Sequence, residues 1–335
     1  MKKIFFLVFL SFQLFLCSCY NIGDSNIFVN NQNFSSSNEN QDVKNNNLNT
    51  EKYCFFTDPH FIKLTGESSI DENILSNYFN DMKDKFENEK AEFIMCGGDI
   101  INDSDSKEIA IKKLENFHMV YNNMFYNSHY IIGNHDTNYQ GDTYVKNGDY
   151  KACQLSCDEI RNTLFDGDSE YYYFDTNLTR YYCFNSGLDW DSNSMDNYRW
   201  NQIDWFANDL LTNKMNHSVI FIHIPYFKDS VLTAMIDNLN KIIIAYNNRE
   251  RLFLKNYEYD YSNVDGYIEF IHSGHMHKDV VDYDSCPIPL IVTDLYMIAK
   301  QSYTYDMVTI DYDNCIVSIK RYGDGNDRIV LLNHN

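Results

Sequence analysis

Tyr130-Ile131-Ile132-Gly133-Asn134-His135-Asp136 is the stretch on which the reading of this chain turns. An apolar run stops at a glycine, and three polar side chains with donor and acceptor chemistry follow. Core packing gives no reason to put Asn, His and Asp at the end of a buried strand. A site does, because α/β proteins gather ligands on the loops at the carboxyl ends of their strands.

The flanking segments repeat the pattern. Upstream, residues 52–57 read as a buried strand that ends in Asp58-Pro59-His60. Residues 71–90 carry Ile74, Leu75, Tyr78, Phe79, Met82 and Phe86 at helical spacing, with Asp71 as the expected cap. Residues 93–96 form a second strand ending in Gly97-Gly98-Asp99, and 107–124 a second helix with Ile111, Leu114, Phe117 and Tyr121 on one face. With 130–132 as the third strand, this is a βαβαβ unit whose parallel sheet collects polar residues at one edge.

Downstream, 137–170 read as a polar loop over the site, and Tyr171–Phe174 with Arg180–Phe184 as a hairpin. A helix is expected over 197–211 and a strand over 219–222 that ends in His223. A helix over 231–246 and a Tyr/Asp-rich loop come next. Residues 267–271 form a strand that runs into His272-Ser273-Gly274-His275-Met276-His277. Strands at 290–292, 307–312 and 316–322 complete a second set.

The 335 residues, 44% hydrophobic, suffice for one large domain over 51–335. Residues 1–19 are expected to be an export signal: Met1-Lys2-Lys3 is basic, and Ile4 to Leu16 is apolar but short for a membrane span. Leu16-Cys17-Ser18-Cys19 resembles a bacterial lipoprotein processing site, which implies cleavage before Cys19 and a lipid on its sulfur. Ordinary signal-peptidase cleavage without a lipid is the alternative. Residues 20–50 are rich in Asn and Ser and read as a disordered tether. The expectation is therefore an exported protein at the cell envelope or surface, anchored to the membrane through Cys19.

Cys54 and Cys96 lie in apolar strands and read as buried small hydrophobes, whereas Cys153 and Cys157 could pair or share a helix face. No Cys-x-x-Cys is present, so a zinc-thiolate site is not expected. A net charge of −21 argues against long nucleic acids, which bind through Lys and Arg on phosphates.

Five strand ends thus carry Asp58, His60, Asp99, Asn134, His135, Asp136, His223, His275 and His277, including five of the ten histidines. Mixed imidazole and carboxylate suit Zn, Mn or Fe better than Mg or Ca. The residues are too many for one ion and about right for two. Two divalent ions against only Asp58 and Asp99 leave a net-positive pocket, an anion site in an acidic protein.

The ordered blocks Asp58-x-His60, Gly98-Asp99, Gly133-Asn134-His135-Asp136, His223 and Gly274-His275-x-His277 resemble the calcineurin-like metallophosphoesterase family. Asn201-Gln202-Ile203-Asp204-Trp205 and Gly323-x-Gly325-x-Asp327-Arg328 resemble further family features. The resemblance implies a sandwich of two mixed β-sheets flanked by helices (αββα). It implies one metal on Asp58, His60, Asp99 and His277, and a second on Asp99, Asn134, His223 and His275, with Asp99 bridging. His135 is implied as the metal-free acid at the leaving group, oriented by Asp136. Purple acid phosphatases of this superfamily carry a metal-binding Tyr three residues after the Asp99 equivalent; this chain has Asn102, which favours Mn, Zn or mixed Fe.

In physical terms, Gly133 and Gly274 are expected to let the backbone turn tightly, and an extended His275-x-His277 would aim both imidazoles one way. His118, His129, His217, His272 and His334 are expected to be structural, and Trp190, Trp200 and Trp205 to serve packing. Tyr257, Tyr259 and Tyr261 fit either a substrate wall or a half-buried strand, and Arg161, Arg199 and Arg251 are candidate phosphate clamps. The function expected is hydrolysis of a small phosphomonoester or phosphodiester by a metal-bridged hydroxide, with His135 assisting departure of the leaving group. A catalytically retired metal-containing surface lipoprotein is the alternative. A glycan-cleaving protein would need two close catalytic carboxylates, and none stand out.

Overall fold

Side-chain alternation along β1 (Thr50–Phe56) decides the layering. Tyr53 and Phe55 join an apolar cluster between two sheets, while Cys54 and Phe56 join another beneath helices. All four are fully buried, as expected of a strand covered on both faces. The computed structural model describes residues 49–104, 106–138, 153–187, 195–225, 233–296 and 303–333, with backbone alone for 195–199, 233 and 234.

The βαβαβ unit is present: β1, α1 (Ser68–Asn88), β2 (Phe93–Cys96), α2 (Lys107–Met124) and β3 (Ser128–Tyr130), the three strands parallel. Later in the chain come α3 (Cys157–Leu164), β4 (Tyr172–Asp175), β5 (Thr179–Phe184), α4 (Met195–Thr212), β6 (His217–Ile222) and α5 (Thr233–Asn247). The chain continues with β7 (Arg251–Leu254), β8 (Tyr257–Asp260), β9 (Tyr267–Ser273), β10 (Val280–Asp282) and β11 (Leu290–Val292). The last strands are β12 (Tyr305–Asp311), β13 (Ile316–Tyr322) and β14 (Arg328–Leu331).

Six strands in the order β14-β13-β12-β1-β2-β3 form one sheet, and six in the order β10-β11-β9-β6-β5-β4 form the other. Both are mixed: β1 pairs antiparallel with β12, while β5, β6, β9 and β11 run parallel. One core cluster lies between the first sheet and α1, α2 and α3, a second between the sheets, and a third between the second sheet, α4 and α5. The architecture is the expected αββα sandwich. Among the described residues no helix is long and apolar enough to cross a membrane.

Several local expectations change. Asp71 is not the cap of α1, which starts three residues earlier; its buried carboxylate instead accepts from the Thr65 and Gly66 N–H groups and the Asn116 amide. The loop read over 137–170 contains α3, announced by a capping box between Ser156 and Glu159 that was legible as Ser-x-x-Glu. The Tyr/Asp-rich loop contains the β7–β8 hairpin; Tyr259 and Tyr261 are buried against α4 and only Tyr257 is exposed, so the alternation is that of a half-buried strand. Cys153 and Cys157 are not joined by a disulfide; Cys153 is buried and Cys157 half-buried. Residues 1–48, with the leader, Cys19 and nearly all of the tether, lie outside the described residues, as do Trp190, His334 and the Arg199 side chain.

Candidate metal centre

Every motif block sits where a strand of one sheet or the other runs out. Asp58 and His60 follow β1, Asp99 follows β2 and Asn134 follows β3, all in the first sheet. His223 follows β6, and His275 and His277 follow β9, in the second. The parallel strands point the same way, so their carboxyl ends meet at one end of the sandwich. Loop backbones cross-link there: Asp58 N–H donates to Gly98 O at 2.9 Å, His60 N–H to Asp99 O at 3.0 Å, and Gly274 N–H to His223 O at 3.1 Å.

Each carboxylate is held by one oxygen and presents the other. Asp58 Oδ2 accepts from Thr57 Oγ1 and from His275 N–H, leaving Oδ1 at 3.1 Å from His277 Nε2 and 3.9 Å from both His60 and His223 Nε2. Asp99 Oδ1 accepts from His135 N–H at 2.8 Å, leaving Oδ2 at 3.1 Å from His223 Nε2 and 3.8 Å from His60 Nε2. His223 donates its Nδ1–H to Gly97 O at 2.7 Å, which turns Nε2 inward. An imidazole anchored by one nitrogen and aimed with the other is the arrangement of a metal ligand.

Among the described residues, three overlapping groups have candidate ligand atoms within 4.8 Å of one another: Asp58, His60 and His277; His60, Asp99 and His135; Asp99, His223 and His275. Asp99 belongs to two of them. The residues fit cations on a second count. Asn134 Oδ1 and His275 Nδ1 are buried and make no hydrogen bond, and a buried polar atom left so costs about 1–3 kcal/mol. Two such atoms, on residues that follow β3 and β9, make sense as ligand atoms.

Backbone strain marks the same residues. Asp58, His60, Asp99, His275 and His277 all have φ between +40° and +68°. Non-glycine residues in this region cost of order 1–3 kcal/mol each, and such strain clusters at functional sites. It also corrects the expected geometry of His275-x-His277. That segment is not extended, and its two imidazoles part company: His275 joins Asp99 and His223, while His277 joins Asp58 and His60.

Without cations the electrostatics are lopsided. Burial alone would neutralise Asp99 and His223, but their mutual attraction prevails, holding the Asp99 carboxyl well below its usual range and raising His223 to about 10. Burial, with the charged His223 beside it, pushes His275 down to about 4. Burial likewise lowers His60.

Asp136 departs from its expected role. Its carboxylate is fully buried and accepts from the N–H groups of Gly133, Ile100 and Ile101, so it clamps the β2 and β3 loops together. Burial and the nearby Asp99 push it up to about 7. The partner of His135 is Asp103, whose Oδ2 lies 2.5 Å from His135 Nδ1. Asp103 was missed in the sequence; the only local signal was a further acid in the loop after Asp99.

Gly133 is needed, though not for a left-handed turn. A Cβ there would lie 2.1 Å from Asp99 Oδ1, and one at Gly274 would lie 2.0 Å from Thr57 Oγ1. Gly133→Ala must therefore displace Asp99. A loss of roughly 10–100-fold in metal affinity with the fold intact is expected, the scale of disturbing a ligand's support; isothermal titration with Mn²⁺ measures it, and wild-type affinity would refute it.

Of the candidate phosphate clamps, Arg161 is taken by Glu170 and Asp158, and Arg251 by Asp260 and Glu258. His272 is a core residue, as expected, between Tyr53 and Thr293.

The family model described as calcineurin-like phosphoesterase matches residues 52–279. This chain belongs to that family. No curated protein matches it in sequence. Among solved structures, a dimetal phosphatase from Danio rerio is similar in fold at 11% identity, covering 84% of this chain and 99% of its own, with a TM-score of 0.55. The purple acid phosphatase PPD1 from yellow lupin (Lupinus luteus) seeds aligns over 84% of this chain and 53% of its own, at 9% identity and a TM-score of 0.46. The calcineurin-like phosphoesterase match ends at residue 279, just past the last of the His/Asp clusters.

Proposed function

We propose that this member of the family is a two-metal phosphoesterase acting on a small phosphomonoester or phosphodiester. The observation that carries the proposal is the convergence of Asp58, His60, Asp99, His223, His275 and His277, with Asn134 Oδ1 and His275 Nδ1 buried and lacking a hydrogen-bond partner. Asp58, His60, Asp99 and His277 hold one ion; Asp99, Asn134, His223 and His275 hold the other. When bound, the ions supply an activated water and neutralise charge on the phosphate oxygens.

The chain's own residues do the rest. His135 stands at the edge of the cluster, its ring 4.8 Å from that of His60. Its backbone N–H is committed to Asp99 and its Nδ1 to Asp103, which leaves Nε2 for substrate. Burial works against a charged imidazole, but the Asp103 hydrogen bond and the Asp99 charge raise its affinity for a proton. An imidazolium so placed hands a proton to the departing ester oxygen. Asp136 keeps the Asp99 and Asn134 loops in register.

The purified protein loaded with Mn²⁺ is expected to bind two ions and hydrolyse 4-nitrophenyl phosphate, bis(4-nitrophenyl) phosphate, or both. The ratio of the two rates assigns mono- or diesterase character. Two bound ions without turnover of either ester would favour the retired binding protein instead, and fewer than two ions would remove the basis of the proposal.

A further inference from the structure

A buried charge quartet lies beside the metal-ligand loops and touches none of the ligands. Asp306, at the start of β12, is fully buried, and its carboxylate accepts from Arg321 Nε at 2.7 Å, from Thr293 Oγ1 at 2.7 Å and from Arg328 Nη2. The same two guanidinium groups reach a second carboxylate, Asp279. Arg321 Nη2 donates to it, and Arg328 Nη1 lies 3.0 Å from its Oδ1. The Arg321 side chain is 1% exposed. Arg321 is fixed further by the Asp324 carbonyl and by Asp327, which accepts its backbone N–H at 2.8 Å. The Gly323-x-Gly325-x-Asp327-Arg328 turn thus exists around these two arginines.

Such a quartet is an expensive way to join two sheets, because hydrophobic side chains of similar volume often do so as well. Its position gives it another use. Asp279 is two residues beyond His277, on the segment between β9 and β10 that carries no regular structure. His277 is the exposed member of the cluster, 41% in its side chain, with a left-handed backbone and with Asp58 and His60 beside its ring. The same Asp279 oxygen accepts from Asp294 N–H at 3.0 Å, and two residues later Tyr296 N–H donates to Thr57 O at 2.8 Å, next to Asp58. Two of the three members of the exposed group, Asp58 and His277, are therefore linked to one carboxylate.

The geometry points to Asp279, clamped by Arg321 and Arg328, as a positioning residue that sets the affinity of the Asp58–His60–His277 ion independently of the Asp99–His223–His275 ion. This rests on the two-metal reading above. The guanidinium forks hold Asp279 in one place, Asp279 holds the short segment that follows the left-handed His277, and the imidazole is thereby preorganised toward Asp58.

The test is a Mn²⁺ titration of the metal-free protein, followed by isothermal calorimetry and by electron paramagnetic resonance of free Mn²⁺. Wild type is expected to take up two ions. Asp279→Asn, which keeps the shape and loses the charge, is expected to bind one ion as wild type does and the other roughly 10–100-fold more weakly. Its turnover should recover at high Mn²⁺ with an unchanged KM, which a general loss of stability would not produce. Asp279→Glu, which keeps the charge and moves the carboxylate, should show the same selective loss and serves if the Asn variant does not fold. Two ions at wild-type affinity in a folded variant, equal weakening of both, or failure of both variants to fold would overturn the assignment. Fewer than two ions in wild type would instead overturn the two-metal reading.

Discussion

Asp99→Asn is expected to abolish turnover and to weaken both ions at once. Asp99 belongs to two of the three ligand groups and lies 3.1 Å from His223 Nε2, closer than Asp58 at 3.9 Å. The amide keeps an acceptor for the His135 N–H but removes the charge and can turn N–H donors toward the cations. Even a supporting residue costs about 10–100-fold in metal affinity or activity, so a shared anionic ligand should cost more than that at each ion. Metal analysis of the desalted protein and turnover of an aryl phosphate are the measurements. A variant that keeps two ions and measurable activity would show that Asp99 does not bridge.

His135→Ala should separate metal binding from catalysis. The mutant is expected to retain both ions, because the side chain's one tight partner is Asp103 and its link to Asp99 runs through the backbone N–H. Its kcat should fall by about 10²–10⁴-fold, the usual worth of general acid–base catalysis. The deficit should be largest for alkyl phosphates, whose leaving oxygen needs the proton, and smallest for 4-nitrophenyl esters, whose leaving group departs as an anion. Asp103→Asn should give a smaller deficit with a diagnostic pH shift. Burial lowers the His135 imidazole, and the Asp103 hydrogen bond is the largest effect raising it. Without that charge the imidazolium loses its proton at lower pH, so the alkaline limb of the activity profile moves down. An alanine variant with a uniform deficit across leaving groups, or an unmoved limb in Asp103→Asn, would argue that His135 acts in some way other than as an acid.

The assignment of His135's partner shows how far a linear reading reaches. Asp136, adjacent in sequence, looked like the residue that orients His135. In the folded chain its oxygens are consumed by three backbone N–H groups, since adjacent residues on a tight turn point in different directions. Asp103 reaches His135 from a different loop, 32 residues earlier, and no local pattern announces such an approach. The quartet around Asp306 is of the same kind: Asp279, Arg321 and Arg328 are ordinary charged residues until β9, β11, β12, β13 and β14 bring them together.

Strand ends, by contrast, are local events. A buried strand must be apolar on both faces, so a break from Phe-Phe to Thr-Asp-Pro-His, or from Ile-Ile to Gly-Asn-His-Asp, is visible in a few residues. That is why the βαβαβ unit and the nine polar residues at the strand ends could be listed by number from the chain alone, while the two-sheet sandwich and the choice of seven ligands among them came with the resemblance to the phosphoesterase family. Tertiary structure decided how they are shared. Asp58 meets His277 across 219 residues, His275 and His277 divide between two groups, and five of the proposed ligand residues adopt left-handed backbones. Side-chain direction depends on φ and on packing between two sheets, and neither is encoded in any short window. The residue types of the Gly133-Asn134-His135-Asp136 turn belong to the sequence; which of its side chains faces a cation, which faces substrate and which pins the backbone belongs to the fold.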